Sequence, residues 1–282
     1  MQAFGGWSYW VDEMRHTIDI YRRLLTVQLR SQLAFRIPFI FDLTATGFIT
    51  LIEFGALALV MQRFPTIDGW SLSEVAFLYG LVEMGFAFMD MTFSGYDPPF
   101  FGRMIRQGTF DQVLLRPIPL PIQILGSAFE LRRIGRIAFG IGVFTFALLS
   151  NPIQWTVGKL FYLPLIQIGI IAFFGGLFII GSTITFWTVD SIEFLNIFTY
   201  GGSFTISYPM SIYPRWLRQF FTFALPAIFL NYYPALYFLE KPDPFGMPYF
   251  VHFLSPLVGI TLLALALWFW NFGVRHYQST GS

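Results

Sequence analysis

Long apolar runs, separated by short polar breaks, dominate the chain, and residues 12–36 are the first exception. There Met14, Ile18, Tyr21, Leu25 and Leu29 repeat at helical spacing on one stripe, while Arg15, Asp19, Arg22 and Arg30 form another. This predicts an amphipathic helix lying in a membrane interface. Asp19 is spaced to pair with Arg15, Arg22 or Arg23, and Pro38 ends or turns the helix. Runs of spanning length follow at roughly 37–61, 72–93, 137–153, 160–187, 194–212 and 250–272. Each is near the 20 or so residues that cross about 30 Å of hydrocarbon. Ser71 or Ser73 is placed to cap the second, and Asp190 and Glu193 mark a tight turn before the fifth.

A further apolar run, 220–239, is interrupted by Pro226 and Pro234 and follows the polar, aromatic stretch Tyr213 to Arg218. It is marginal as a span. Broken backbone at membrane depth is tolerated only where protein or a water cavity covers it, so 213–240 reads as a pair of short re-entrant helices. The expectation is an all-α integral membrane protein of one domain, residues 1–282. It has six transmembrane helices, an N-terminal amphipathic helix and a re-entrant hairpin before the last span.

Composition agrees. Of 282 residues, 55% are hydrophobic and 12% charged, against about 25% charged in soluble domains. A soluble fold of this size cannot hide so much apolar chain, and a barrel would show alternating segments of about 10 residues instead. There are no cysteines and only three scattered histidines, His16, His252 and His276, which leaves little for a metal site. The net charge of +1 starts no argument for a nucleic-acid partner. The first 36 residues lack the apolar core of a cleavable signal. With six spans, 12 basic residues fall on the side of the two ends and 5 on the other. Basic loops stay inside, so both termini are expected in the cytoplasm and membrane lipids are the surroundings.

The longest polar segment, 97–136, falls on that inner side. Pro98 and Pro99 suit a helix start. Phe100, Phe101, Met104 and Ile105 form an apolar face beside Arg103 and Arg106, Gly108 is a natural helix stop, and Thr109 could cap a second short turn. From Arg116 to Pro121 the prolines predict an extended segment. Short basic helices across a membrane mouth suit either a soluble partner or contact with lipid phosphates. Four acids sit within apparent spans, Asp42, Glu53, Glu83 and Asp90, where charge costs at least roughly 2.5–3.5 kcal/mol. Glu83 and Asp90, seven apart, share a helix face. Asp42 and Asp90 are expected to pair with arginines such as Arg36. Glu53 and Glu83 lie deeper and read equally as structural pairs or as an intramembrane polar pathway with Asp90. Gly175-Gly176 and Gly201-Gly202 permit close helix packing. No G-x-x-x-x-G-K-[ST] loop exists, and neither lysine, Lys159 or Lys241, follows a glycine-rich turn. The chain is therefore expected to be no ATPase itself.

Gly108-Thr109-Phe110-Asp111-Gln112-Val113-Leu114-Leu115-Arg116-Pro117 resembles the cytoplasmic signature of a family of ABC-2 type permeases. Tyr208-Pro209 through Arg218, and Pro226 through Asn231-Tyr232-Tyr233-Pro234, resemble that family's segment before the last span. The resemblance covers nearly the whole chain in order. It implies an elbow helix, a coupling helix between spans two and three, and an extracytoplasmic re-entrant hairpin. It also implies two cytoplasmic ATPase subunits, which bind the ATP and Mg, and a second permease, identical or related. Under it, Phe100, Phe101, Arg103, Met104, Arg106, Gly108, Asp111 and Arg116 couple to the ATPase, while Pro214, Arg218, Pro226, Tyr233 and Pro234 form a re-entrant gate. The function expected is the permease subunit of an exporter in an inner (plasma) membrane. The competing readings are a proton- or ion-coupled carrier using Glu53 and Glu83, and an integral-membrane enzyme, for which no nucleophile dyad or cofactor motif is present.

Overall fold

The computed structural model describes residues 5–188 and 194–279, with side chains from residue 15 onward. Within them the chain is helical, and no strand forms beyond an isolated Ile67–Trp70 bridge. Helix α1 runs Gly5–Ala34 and breaks at Phe35; α2 follows at Arg36–Arg63. Pro38 cannot bond the Ala34 carbonyl four residues back, and the amphipathic helix ends at Ala34. Pro38 itself sits in the first turn of α2, where a missing N–H costs nothing. Helix α3, Leu72–Thr92, starts with a reciprocal capping box: the Glu74 amide donates to Ser71 Oγ (3.4 Å) and the Ser71 amide to Glu74 Oε2 (2.8 Å).

The polar segment holds three short helices rather than two: α4 (Pro98–Arg106), α5 (Thr109–Leu114) and α6 (Leu120–Ser127). Extended backbone was expected as far as Pro121, but that proline opens α6, again in a first turn. Helix α7 (Ile134–Ser150) begins and ends three residues before the expected bounds, 137 and 153. Helix α8 (Val157–Thr188) and α13 (Ser255–His276) complete the long elements. Among the described residues, α2, α3, α7, α8 and α13 are long and apolar enough to cross a membrane. The expected turn at Asp190 and Glu193 lies outside the described residues.

The fifth expected span, 194–212, is not one helix. It is α9 (Phe194–Phe198) and α10 (Tyr200–Ile206), broken at Thr199. Two such pieces, about 20 Å together at 1.5 Å per residue, fall short of the hydrocarbon thickness. Yet α8 ends beside α4, and α13 begins at the other end of the bundle, so the chain between them makes a net crossing. After Met210 the chain turns back. Helix α11 (Arg215–Gln219) leads into a π-helical turn whose Phe220 ring stacks 5.9 Å from Phe198. A bend of 105° at Pro226 then opens α12 (Ile228–Leu239). That helix returns along α3, with Phe238 5.5 Å from Phe77, and its end is tied to the start of α8 by Lys159 Nζ, 2.8 Å from Glu240 Oε1.

Two backbone features let α12 sit there. Pro234, inside α12, cannot bond the Leu230 carbonyl four residues back, and the buried Ser255 hydroxyl of α13 donates to that carbonyl instead (3.2 Å). Asn231, fully buried, donates from Nδ2 to the carbonyls of Leu78 (3.1 Å) and Ile206 (2.7 Å), joining α12 to α3 and α10. The tightest helix crossing is α8 against α13, where a methyl group on Gly169 would lie 2.6 Å from the Ser255 carbonyl and one on Gly259 would overlap Gly169 itself. Gly176 also lies against the α13 backbone, whereas Gly201 has open space, its nearest atom at 3.8 Å. The first glycine pair serves close packing and the second does not.

Candidate functional site

Two regions concentrate side chains that packing alone does not require. The first is the α4–α5 pair. Gly108 stands between the two helices at φ +64°, a left-handed conformation that glycine takes without the Cβ clash of other residues. Thr109 does not cap α5; its hydroxyl donates back to the Met104 carbonyl (3.2 Å), closing the end of α4. The inner face is aromatic. Phe101 and Phe110, both fully buried, meet edge-on at 5.3 Å. Phe101 lies 5.4 Å from Phe186 of α8 and 5.2 Å from Trp270 of α13, while Phe110 lies 5.0 Å from Tyr277. Asp111 accepts a hydrogen bond from Ser279 Oγ (2.6 Å). Burial and the adjacent Asp111 push the Tyr277 hydroxyl up to about 12.

The outer face is basic and open. Arg103, Arg106 and Arg116 are exposed, Phe100 and Met104 half-buried, and Leu115 keeps 85% of its surface free. Arg103 lies over the Phe100 ring at 5.8 Å. Both arginines of α4 fall in its last turn, the favoured end for cations. Of the residues singled out in sequence, Phe101 and Asp111 thus bind the chain's own α8, α13 and tail, while the arginines face outward. The amphipathic α1 is attached to the same end. Gln28 Nε2 donates to the Ser127 carbonyl (2.7 Å), and Gln32 clamps the next segment, donating to the Phe129 carbonyl and accepting from the Leu131 amide (3.0 Å). The end of α1 and the described C-terminal tail therefore both lie at the α4–α6 end of the bundle.

The second region is a cavity of about 300 Å³ among α2, α3, α7 and α10, lined by Thr46, Ile49, Thr50, Glu53, Tyr79, Glu83, Arg133, Arg136, Tyr200, Ser203, Phe204 and Ser207. Antiparallel packing of α3 against the start of α7 aligns two acids with two arginines. Arg136 grips Glu83 with two nitrogens, Nε on Oε1 and Nη2 on Oε2 (3.0 Å). Arg133 Nε lies 2.9 Å from Asp90 Oδ2, and the Tyr200 hydroxyl donates to Asp90 Oδ1 (3.4 Å). The partner of Asp90 is thus Arg133, next in space, and not Arg36. Asp42 borders a separate cavity with Arg132 and Glu130. Removing one member of a buried pair strands the other charge, at a cost of about 3–5 kcal/mol. Glu53 lines the same cavity and is exposed on the outer face of α2. Tyr79, Tyr200, Ser203 and Ser207 were not legible as cavity residues in sequence, because three helices must pack before they converge.

At the far end of the bundle, Arg218 lies 4.8 Å over the Phe245 ring. It lines a cavity of about 370 Å³ with Thr222, Phe223 and Tyr233. Pro214 precedes α11, Pro226 lies at the bend, and Tyr233 stacks 5.5 Å from Phe229 next to Pro234. These five residues all belong to one bent unit, although Arg218 and Tyr233 alone among them border its cavity.

No curated protein and no solved structure gives a match to this chain. A family model described as ABC-2 family transporter protein matches residues 48–281, a stretch that runs from the middle of α2 through α13 and takes in the α4–α5 pair and most of the cavity lining. Long apolar helices, a basic face at one end and that match together place the chain in the ABC-2 transporter family, as a transmembrane permease of ABC-type transport.

Proposed function

We propose that this permease is the moved half of an exporter, driven by a separate ATPase that docks on the outer face of α4 and α5. The observation that carries this is the two-sided build of that pair. Its inner aromatics are keyed into the ends of α8 and α13, and its outer arginines are exposed. A push on the outer face is thereby delivered to two spanning helices. In this reading the α4–α6 end is cytoplasmic, α1 is the elbow helix, and 215–239 is a re-entrant gate facing outside a plasma membrane. Two ATPase subunits bind ATP and Mg, and a second permease, identical or related, completes the pathway.

The test is copurification with the ATPase, followed by coupled ATP hydrolysis. Arg103→Glu, Arg106→Glu and Arg116→Glu are expected to weaken assembly and abolish coupling while the helical content stays unchanged. Intact assembly and intact coupling in the triple variant would sink the assignment. A proton-coupled carrier finds support only in the cavity that Glu53 lines, since Glu83 is committed to Arg136. Uptake into vesicles driven by a pH gradient without ATP would favour it.

A further inference from the structure

The bent unit at the far end of the bundle holds a cavity whose charge is one-sided. Arg215, Arg218, Gln219 and Thr222 repeat at helical spacing on one face, and all four line it. Tyr233 of α12 borders it and adds a hydroxyl, while Phe223, Ile228, Phe245 and Met247 supply the apolar walls. Among the described residues no acid lines it. Asp243, in the loop that carries Phe245 and Met247, is already occupied. Its Oδ1 accepts from the Phe245 amide (2.9 Å) and its Oδ2 from the Met247 amide (2.6 Å). Neither Arg215 nor Arg218 forms a salt bridge among the described residues.

The arginines are posed to take an anion. Arg218, half-buried, lies over the Phe245 ring at 4.8 Å. Stacking occupies the flat face of a guanidinium and leaves its edge N–H groups free. Such an edge grips two oxygens of one phosphate at once. Arg215 is exposed at the rim, so two positive charges face one space. A phosphate monoester, at about −1.5 to −2 near pH 7, balances them, whereas the phosphodiester of a bilayer lipid carries a single negative charge. The walls suit a phosphate that bears a chain. Ile228 is buried, and Phe223 keeps 78% of its surface free, so an alkyl chain has an apolar path out of the cavity. Thr222 and Phe223 also stand in the π-helical turn, closed by the Leu225 amide on the Phe220 carbonyl (2.9 Å). Single π-turns of this kind are frequent at functional sites.

We propose that this cavity binds the phosphomonoester head of an amphiphile, held by Arg215 and Arg218, with its chain against Phe223 and Ile228. As the substrate class of the transporter, this rests on the permease reading above; as a binding site, it does not. The test uses the full chain in nanodiscs of phosphatidylcholine, with radiolabelled decyl phosphate at about pH 7.5 and empty nanodiscs for the partition background. Saturable binding of one decyl phosphate per chain is expected. Arg215→Gln and Arg218→Gln are each expected to weaken it about tenfold or more, as loss of a paired charge does. Arg215 is exposed, so its variant is expected to keep the parent's helical signal. Inorganic phosphate at the same concentration, phosphatidylglycerol doped into the disc and decyltrimethylammonium are expected not to displace the probe. Displacement by the first would make this a site for the free ion, by the second a site for bulk lipid, and by the third a merely apolar cleft. Each of these overturns the proposal, as does unchanged affinity in Arg215→Gln. Assembly of the same Arg215→Gln preparation with the ATPase is read separately and is expected to be intact. A failed phosphate site is therefore distinguishable from a failed permease assignment.

Discussion

Asp97 carries its charge where the fold least accommodates it. It stands between buried Tyr96 and Pro98, and its Oδ1 is buried with no hydrogen-bond partner among the described residues. Burial first, then Asp90 and Glu130, push its carboxyl up to about 6, against the pull of Arg133 and Arg103. The folded state holds this proton more tightly than the unfolded chain. The stability it contributes is therefore full below the ordinary carboxylate range and lost as pH rises through about 6. Asp97→Asn keeps the shape of the protonated acid. Its Tm is expected to exceed the parent's by a few degrees at about pH 7.5 and to match it near pH 4. A variant less stable at the higher pH would mean that the nearby arginines outweigh burial. The intramembrane acids show how far sequence reaches at this scale. Their seven-residue spacing on one helix was legible, and so was the need for arginines. Which arginine meets which acid follows from the antiparallel start of α7 and was not.

At the scale of elements, the α8–α13 crossing is set by what its glycines lack. Both helices approach until backbone meets backbone at Gly169 and Gly259. In a bilayer such close van der Waals contact replaces the hydrophobic drive that lipid removes. Gly259→Ala is expected to force the pair apart, at about 1–3 kcal/mol as for other overpacked sites. Gly201→Ala, with open space around it, should be neutral or stabilising by about 0.4–1 kcal/mol. Unfolding of the two variants in mixed micelles, followed by helical signal, makes the comparison, and equal loss in both would refute the account. The break at Thr199 was not legible, because 194–212 is apolar enough throughout to pass as one helix. Helix α6 was hidden for the opposite reason. Its prolines read as breakers, yet Pro121 falls in a first turn, where proline is at home.

For the whole molecule, the question is how a push at one end becomes movement across the bundle. Under the function proposed above, Phe101, Phe110, Phe186, Trp270 and Tyr277 are the joint. Trimming that joint should separate docking from work. Phe110→Leu keeps an apolar filler and is expected to bind the ATPase normally, yet to transport less substrate per ATP hydrolysed. Phe110→Ala should add a stability loss of about 3–5 kcal/mol. Parallel measurement of copurified ATPase and of transport per ATP checks this, and a variant with normal coupling would show that the force takes another route.

Sequence alone determined that this chain lives in a membrane and where its basic segment falls. Those properties are sums over many residues: apolar length against bilayer thickness, and the distribution of arginines between loops. Tertiary structure decided everything that depends on one residue meeting another far along the chain. Ser255 completing the carbonyl that Pro234 orphans, Arg133 on Asp90, the aromatic joint, and Glu53 converging with Tyr79 and Ser207 are contacts between distant segments. No local pattern encodes them, because each arises only once the helices have chosen their neighbours.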